Sequence, residues 1–122
     1  MLAFRIYNAT YVCRVQPLPE HVKHSAMKIS ETVYGAMLGA EWNITGNLAG
    51  WDVTDRLREL DLPVLVTSGR YDEMTSEVVQ PLVAGISGAQ WIVFEHSAHT
   101  APAEEPEHYR HAVATFLDNT GR

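Results

Sequence analysis

A chain of 122 residues with 46% apolar and 20% charged side chains can bury one modest core and is too apolar for disorder. Its formal net charge of -6 and pI near 5.4 oppose binding to phosphate backbones or anionic lipid, so nucleic-acid and membrane-surface partners are not expected. No apolar run approaches the roughly 18 residues that a bilayer span requires.

The opening, Met1 to Asn8, lacks a sustained hydrophobic stretch and a small-residue cleavage site, so it does not read as a signal peptide. Cys13 is the single cysteine. That excludes an internal disulfide and fits a reducing cytoplasm, with Cys13 as a half-buried structural thiol.

Further along, Pro17-Leu18-Pro19-Glu20 punctuates the chain. Val22, Ala26, Met27 and Ile29 then recur at a loose three-to-four spacing, which predicts a helix from Glu20 to about Ile29. A second short helix is expected from Ser30 to Leu38, capped by Ser30 and stopped by Gly39. Glycines 39, 46 and 50 mark turns around Glu41-Trp42-Asn43-Ile44-Thr45.

From Trp51 the pattern changes. Asp52 to Leu60 reads as a short helix with Val53, Leu57 and Leu60 on one face. Leu62 to Gly69 is an apolar, β-branched run ended by glycine, as in a strand buried on both faces of a parallel sheet. A helix is expected from Thr75 or Ser76 to Ile86, with Val78, Val79, Leu82, Val83 and Ile86 inward and Pro81 kinking it or delaying its regular start. Gln90 to Phe94 is the second strand. A last helix runs from Pro106 to Leu117 with Tyr109, Ala112, Val113 and Phe116 as its apolar stripe.

Strand, helix, strand, helix implies a parallel βαβ unit. Two parallel strands alone leave two open edges, so the segment reads as part of a larger sheet.

In open α/β sheets, sites form where loops leave the carboxyl ends of the strands. Gly69-Arg70-Tyr71-Asp72-Glu73 follows the first strand here, and Glu95-His96-Ser97-Ala98-His99-Thr100 follows the second. Adjacent strands lie about 4.8 Å apart, so a carboxylate and an imidazole on these loops can meet. An Asp bonded to Nδ1 of a His fixes its tautomer and stabilises the imidazolium formed when the ring takes a proton. At this level both His96 and His99 are candidates. His96-x-x-His99 with Asp72 or Glu95 also offers ligand types for zinc, though no third-ligand motif stands out. The pairs His21/His24 and His108/His111 read as solvated helix faces.

The stretch Leu62-Pro63-Val64-Leu65-Val66-Thr67-Ser68-Gly69-Arg70-Tyr71-Asp72-Glu73 resembles the acid-bearing strand of α/β-hydrolases, and Tyr71-Asp72-Glu73 that of proline iminopeptidases. His99, 27 positions after Asp72, sits where that family places its histidine. Glu104-Glu105-Pro106-Glu107-His108-Tyr109 and Phe116-Leu117 are similar to its terminal helix. Tyr11 to Arg14, Thr32-Val33-Tyr34, Glu41 to Gly46 and Trp51-Asp52 are similar to its helical cap and the return to the sheet. The resemblance begins near Tyr11. Met1 to Thr10 matches less well, as expected of a reading frame that opens partway through a gene.

The resemblance implies an incomplete α/β-hydrolase fold: a helical cap-like segment over residues 1–50, then a C-terminal segment over 51–122 with a parallel βαβ unit and flanking helices. It implies Asp72 as triad acid, His99 in preference to His96 as general base, and Glu41 and Glu73 as holders of a substrate's free α-amino group. The substrate would be a peptide or small amide or ester, and no cofactor is implied. One departure is severe. The family's nucleophile lies on a Gly-x-Ser-x-Gly elbow that precedes the acid and histidine, and the sequence contains none. Gly85-Ile86-Ser87-Gly88 ends a helix, and Ser97 lies on the histidine's own loop. The chain alone is therefore expected to be catalytically incomplete. A split or degenerate hydrolase is the alternative: its open faces would bind a second copy or a complementary N-terminal fragment.

Overall fold

The computed structural model describes residues 2–40 and 43–121. These divide into two units, one built from residues 2–19 and 54–121, the other from residues 20–53.

In the smaller unit, helices α2 (Glu20–Met27) and α3 (Glu31–Met37) precede a short antiparallel pair, β1 (Gly39–Ala40) and β2 (Asn43–Ile44). Ser30 caps α3 as expected, its Oγ accepting the Val33 N–H at 3.4 Å. Gly39 has φ +78 and packs so closely on Thr45 that no side chain would fit there.

The larger unit opens with helix α1 (Leu2–Tyr7) and a π-helical turn (Asn8–Val12), neither of which periodicity announces. A 3-10 helix (Thr54–Glu59) occupies the stretch expected as an α-helix. Its i and i+3 side chains eclipse, which suits the paired hydrogen bonds of Arg56 with Glu59 at 2.9–3.2 Å. Strand β3 (Leu65–Gly69) follows, then α4 (Ser76–Gly85), β4 (Gln90–Phe94), α5 (Ala101–Glu104) and α6 (Pro106–Thr120).

β3 and β4 are parallel, in register from Leu65 opposite Gln90 to Gly69 opposite Phe94. The βαβ unit is present. β3 starts three residues later than the apolar run suggests, because Pro63 has no N–H to give a ladder. Pro81 lies inside a continuous α4, and Leu57 of the 3-10 helix packs on Gly85 so tightly that a Cβ there would overlap it.

Phe94 is fully buried and centres the core with Ala101 and Ala112, backed by Ile92 and Tyr109. The Tyr109 ring lies 5.4 Å from that of Phe94. The predicted stripe of α6 therefore faces inward, whereas that of α4 does so only in part. Ile86 is buried, but Val78 and Leu82 are exposed, since nothing among the described residues covers them. Cys13 is fully buried, more deeply than expected.

The division expected at residue 50 differs from the one observed. Residues 2–19 join the strand unit, because the carbonyl of Tyr11 accepts the N–H groups of Glu73 and His99 and that of Val12 accepts Thr100 N–H. Backbone pairing of this kind leaves no mark in side-chain periodicity. No helix among the described residues is long and apolar enough to cross a membrane.

Candidate active site

Gly69 and Phe94 end their strands at the same level, so the loops that follow leave the sheet side by side. The ladder continues one step beyond them: Arg70 N–H donates to Phe94 O at 2.9 Å, and Tyr71 N–H to Ser97 O at 3.0 Å. Gly69 makes this possible. A Cβ there would run into the carbonyls of Ser97 and Ala98.

On the first loop, Asp72 folds back on its own turn. Its Oδ1 accepts Met74 N–H at 2.8 Å and its Oδ2 accepts Gly69 N–H at 3.4 Å. Oδ1 also lies 3.0 Å from Nδ1 of His99. The Asp72 side chain is 7% exposed and that of His99 49%. A buried, backbone-anchored carboxylate is thus joined to an accessible ring. With Nδ1–H donated to Asp72, the neutral imidazole keeps its lone pair on Nε2, where it can take a proton.

His96 is not the ring that meets Asp72. It is exposed, and its backbone N–H donates to Glu105 Oε2 at 3.1 Å. Ser97 is fully buried, and its hydroxyl donates to the same oxygen at 2.6 Å. Arg70 and Glu95 make an exposed two-pronged ion pair across the strand ends, and the hydrogen bond from Arg70 holds the Glu95 carboxyl below the usual carboxylate range.

Glu73 follows Asp72 directly. The Tyr7 hydroxyl donates to its Oε2 at 2.9 Å, and the Arg14 guanidinium lies 3.5 Å over the Tyr71 ring. The N-terminal segment therefore touches the strand-end loops at Glu73, Tyr71 and His99. Sequence reasoning missed Tyr7, and also Glu104 and Glu105, whose carboxylates accept hydrogen bonds from the histidine loop. The available signal was two adjacent acids just after a polar loop rich in N–H donors. Glu41 lies outside the described residues. Among the described residues, no three His, Cys, Asp or Glu side chains converge as a metal's ligand set.

The parallel strand pair, with an acid and a histidine hydrogen-bonded at its carboxyl ends, belongs to an incomplete α/β-hydrolase fold, as the matching crystal structures show. The crystal structure of a proline iminopeptidase from Mycobacterium smegmatis matches 98% of this chain with a TM-score of 0.89 and 37% identity. That of VinJ matches the same share with a TM-score of 0.89 and 32% identity. In sequence, the proline iminopeptidase of Saccharolobus solfataricus is 34% identical over 95% of the chain. No family model matches. The chain belongs to the proline iminopeptidase family and corresponds to its C-terminal part, spanning about 40% of these relatives' length.

Proposed function

We propose that the chain supplies the acid and base of a proline iminopeptidase-like serine hydrolase and is catalytically incomplete by itself. The observation that carries this reading is the 3.0 Å contact between His99 Nδ1 and Asp72 Oδ1 at the ends of adjacent strands. Asp72 would hold His99 in the Nδ1–H tautomer. Nε2 would then take the proton of a serine hydroxyl as its oxygen attacks the scissile carbonyl, and would return that proton to the leaving amine. The sequence holds no Gly-x-Ser-x-Gly, so the serine and the oxyanion donors would come from a polypeptide bearing the elbow strand.

The substrate would be a peptide or small amide with an unblocked N-terminus. A carboxylate beside the reacting centre selects a cationic amine through charge-assisted hydrogen bonds. Glu73 fits that role, with one oxygen fixed by Tyr7, and Glu41 is assigned the same role by resemblance alone. The single buried thiol, Cys13, supports a cytoplasmic setting.

The purified chain, assayed with a proline arylamide, is expected to release no product above the rate in buffer. Turnover that disappears in His99→Ala would overturn the incompleteness.

A second reading is favoured by the apolar side chains left open in the strand unit, among them Leu62 and Val78 at 56% and 55% exposure. The chain then works as an interaction module, covering these faces with a second copy or with a complementary hydrolase fragment. A sedimentation mass above that of one chain at micromolar concentration is expected. A clean monomer would count against self-association.

A further inference from the structure

We propose that Glu104 and Glu105 are positioning residues: their carboxylates clamp the loop that carries His99 and so maintain its hydrogen bond to Asp72. The proposal rests on the acid–base reading of that pair.

The loop from Glu95 to Thr100 is irregular backbone: Ser97 N–H turns back to Phe94 O at 3.3 Å, and the N–H groups of His96, Ala98, His99 and Thr100 find acceptors outside the strand ladder. Glu105 Oε2 takes His96 N–H at 3.1 Å and the Ser97 hydroxyl at 2.6 Å. Glu104 Oε2 takes Ala98 N–H at 2.9 Å and shares the Thr100 hydroxyl, at 3.2 Å, with the Val12 carbonyl at 3.1 Å. His99 is therefore flanked on both sides, in sequence, by groups tied to an anion. Its own N–H goes to Tyr11 O at 3.3 Å.

The remaining oxygen of each carboxylate extends the brace. Glu104 Oε1 accepts Arg14 N–H at 2.8 Å, which joins the loop to the segment that also receives His99 and Thr100. Glu105 Oε1 faces His108 Nδ1 at 3.3 Å, one turn into α6. Glu104 ends α5 and Glu105 links it to α6, whose stripe is sunk in the core around Phe94. The clamp thus connects the histidine loop to the most buried part of the unit. Hydrogen bonds to ionised acceptors are roughly twice as strong as neutral ones, which suits carboxylates better than amides for this task.

The test uses the full chain and reads the tautomer of His99 from nitrogen-15 NMR of its ring. Wild type is expected to hold the Nδ1–H form, and Asp72→Ala to release it towards Nε2–H. Glu104→Ala and Glu105→Ala should each shift the ratio towards Nε2–H by about five-fold, the order expected for one lost hydrogen bond. Glu104→Gln and Glu105→Gln keep one acceptor oxygen without the charge, and should fall between the alanine variants and wild type.

A merely structural role would lower the melting temperature and leave the ratio unmoved in the folded variants, and that result would overturn the clamp. Should the alanine variants fail to fold, Ser97→Ala removes only the hydroxyl donated to Glu105. An intermediate shift in it supports the clamp, and no shift overturns it. If wild type holds Nδ1–H in an Asp72-dependent way while the glutamate variants do not move it, the clamp alone falls. If wild type already holds Nε2–H, the acid–base reading falls and the clamp with it.

Discussion

Gly69 at the end of β3 stands directly opposite Phe94 at the end of β4, and the loops bearing Asp72 and His99 begin immediately beyond them. One register position therefore couples a large, fully buried core side chain to the candidate site.

Gly69→Ala is expected to disturb the site without touching either ionisable partner. Its Cβ would collide with the backbone of Ser97 and Ala98, which cannot yield as a flexible side-chain tip can. A loss of about 1–3 kcal/mol in urea unfolding is expected, with amide shifts concentrated in Tyr71 and residues 96–100. An unchanged midpoint and spectrum would show that the close approach is not needed.

Phe94→Ala should do far more. The ring is wholly buried among Ala101, Ala112, Ile92 and Tyr109, and truncation leaves a cavity at the junction of β4 with α5 and α6. The expected cost is about 3–5 kcal/mol, a large share of a small domain's stability. Thermal unfolding followed by circular dichroism is the measurement. A small change in melting temperature would mean that the core can collapse around the loss.

Glu105 makes stability depend on acid. Burial pushes its carboxyl up, but hydrogen bonds from Ser97, His108 and the His96 backbone together outweigh this and leave its pKa below the ordinary value of 4.5. A carboxyl depressed in the folded state contributes stability above its unfolded pKa and loses it as pH falls through the folded pKa. Wild type should therefore exceed Glu105→Gln in urea midpoint at neutral pH, and the two should converge in acid below the folded value. A difference that persists undiminished at low pH would contradict the assignment.

Much of the fold is legible in the sequence because it rests on local pattern. Gln90 to Phe94 reads as a strand from its apolar run, and α6 turns its stripe inward, with Ala112 buried and Tyr109, Val113 and Phe116 partly so. That Asp72 meets a histidine of the next loop follows from strand spacing and from where α/β sheets carry their loops, whereas the choice of His99 over His96 rests on the family resemblance. What escapes is long-range and mediated by backbone. Residues 2–12 reach the site through the Tyr11 and Val12 carbonyls and the Tyr7 hydroxyl, none of which leaves a periodic trace. Glu104 and Glu105 read as the start of a terminal helix. Their grip on the preceding loop depends on the chain doubling back over β4, which residue spacing does not encode. The exposed Val78 and Leu82 show the converse: their spacing reads as an inward face, yet no described residue covers it.

The central claim is that Asp72 and His99 act as acid and base once a nucleophile is supplied. The most direct measurement is a chimera in which residues 62–121 of this chain replace the corresponding stretch of the Mycobacterium smegmatis proline iminopeptidase. It should hydrolyse a proline arylamide, and His99→Ala in that background should lower kcat by about 10⁴-fold or more, as loss of a catalytic histidine does elsewhere. Equal rates with and without the His99 ring would contradict the account.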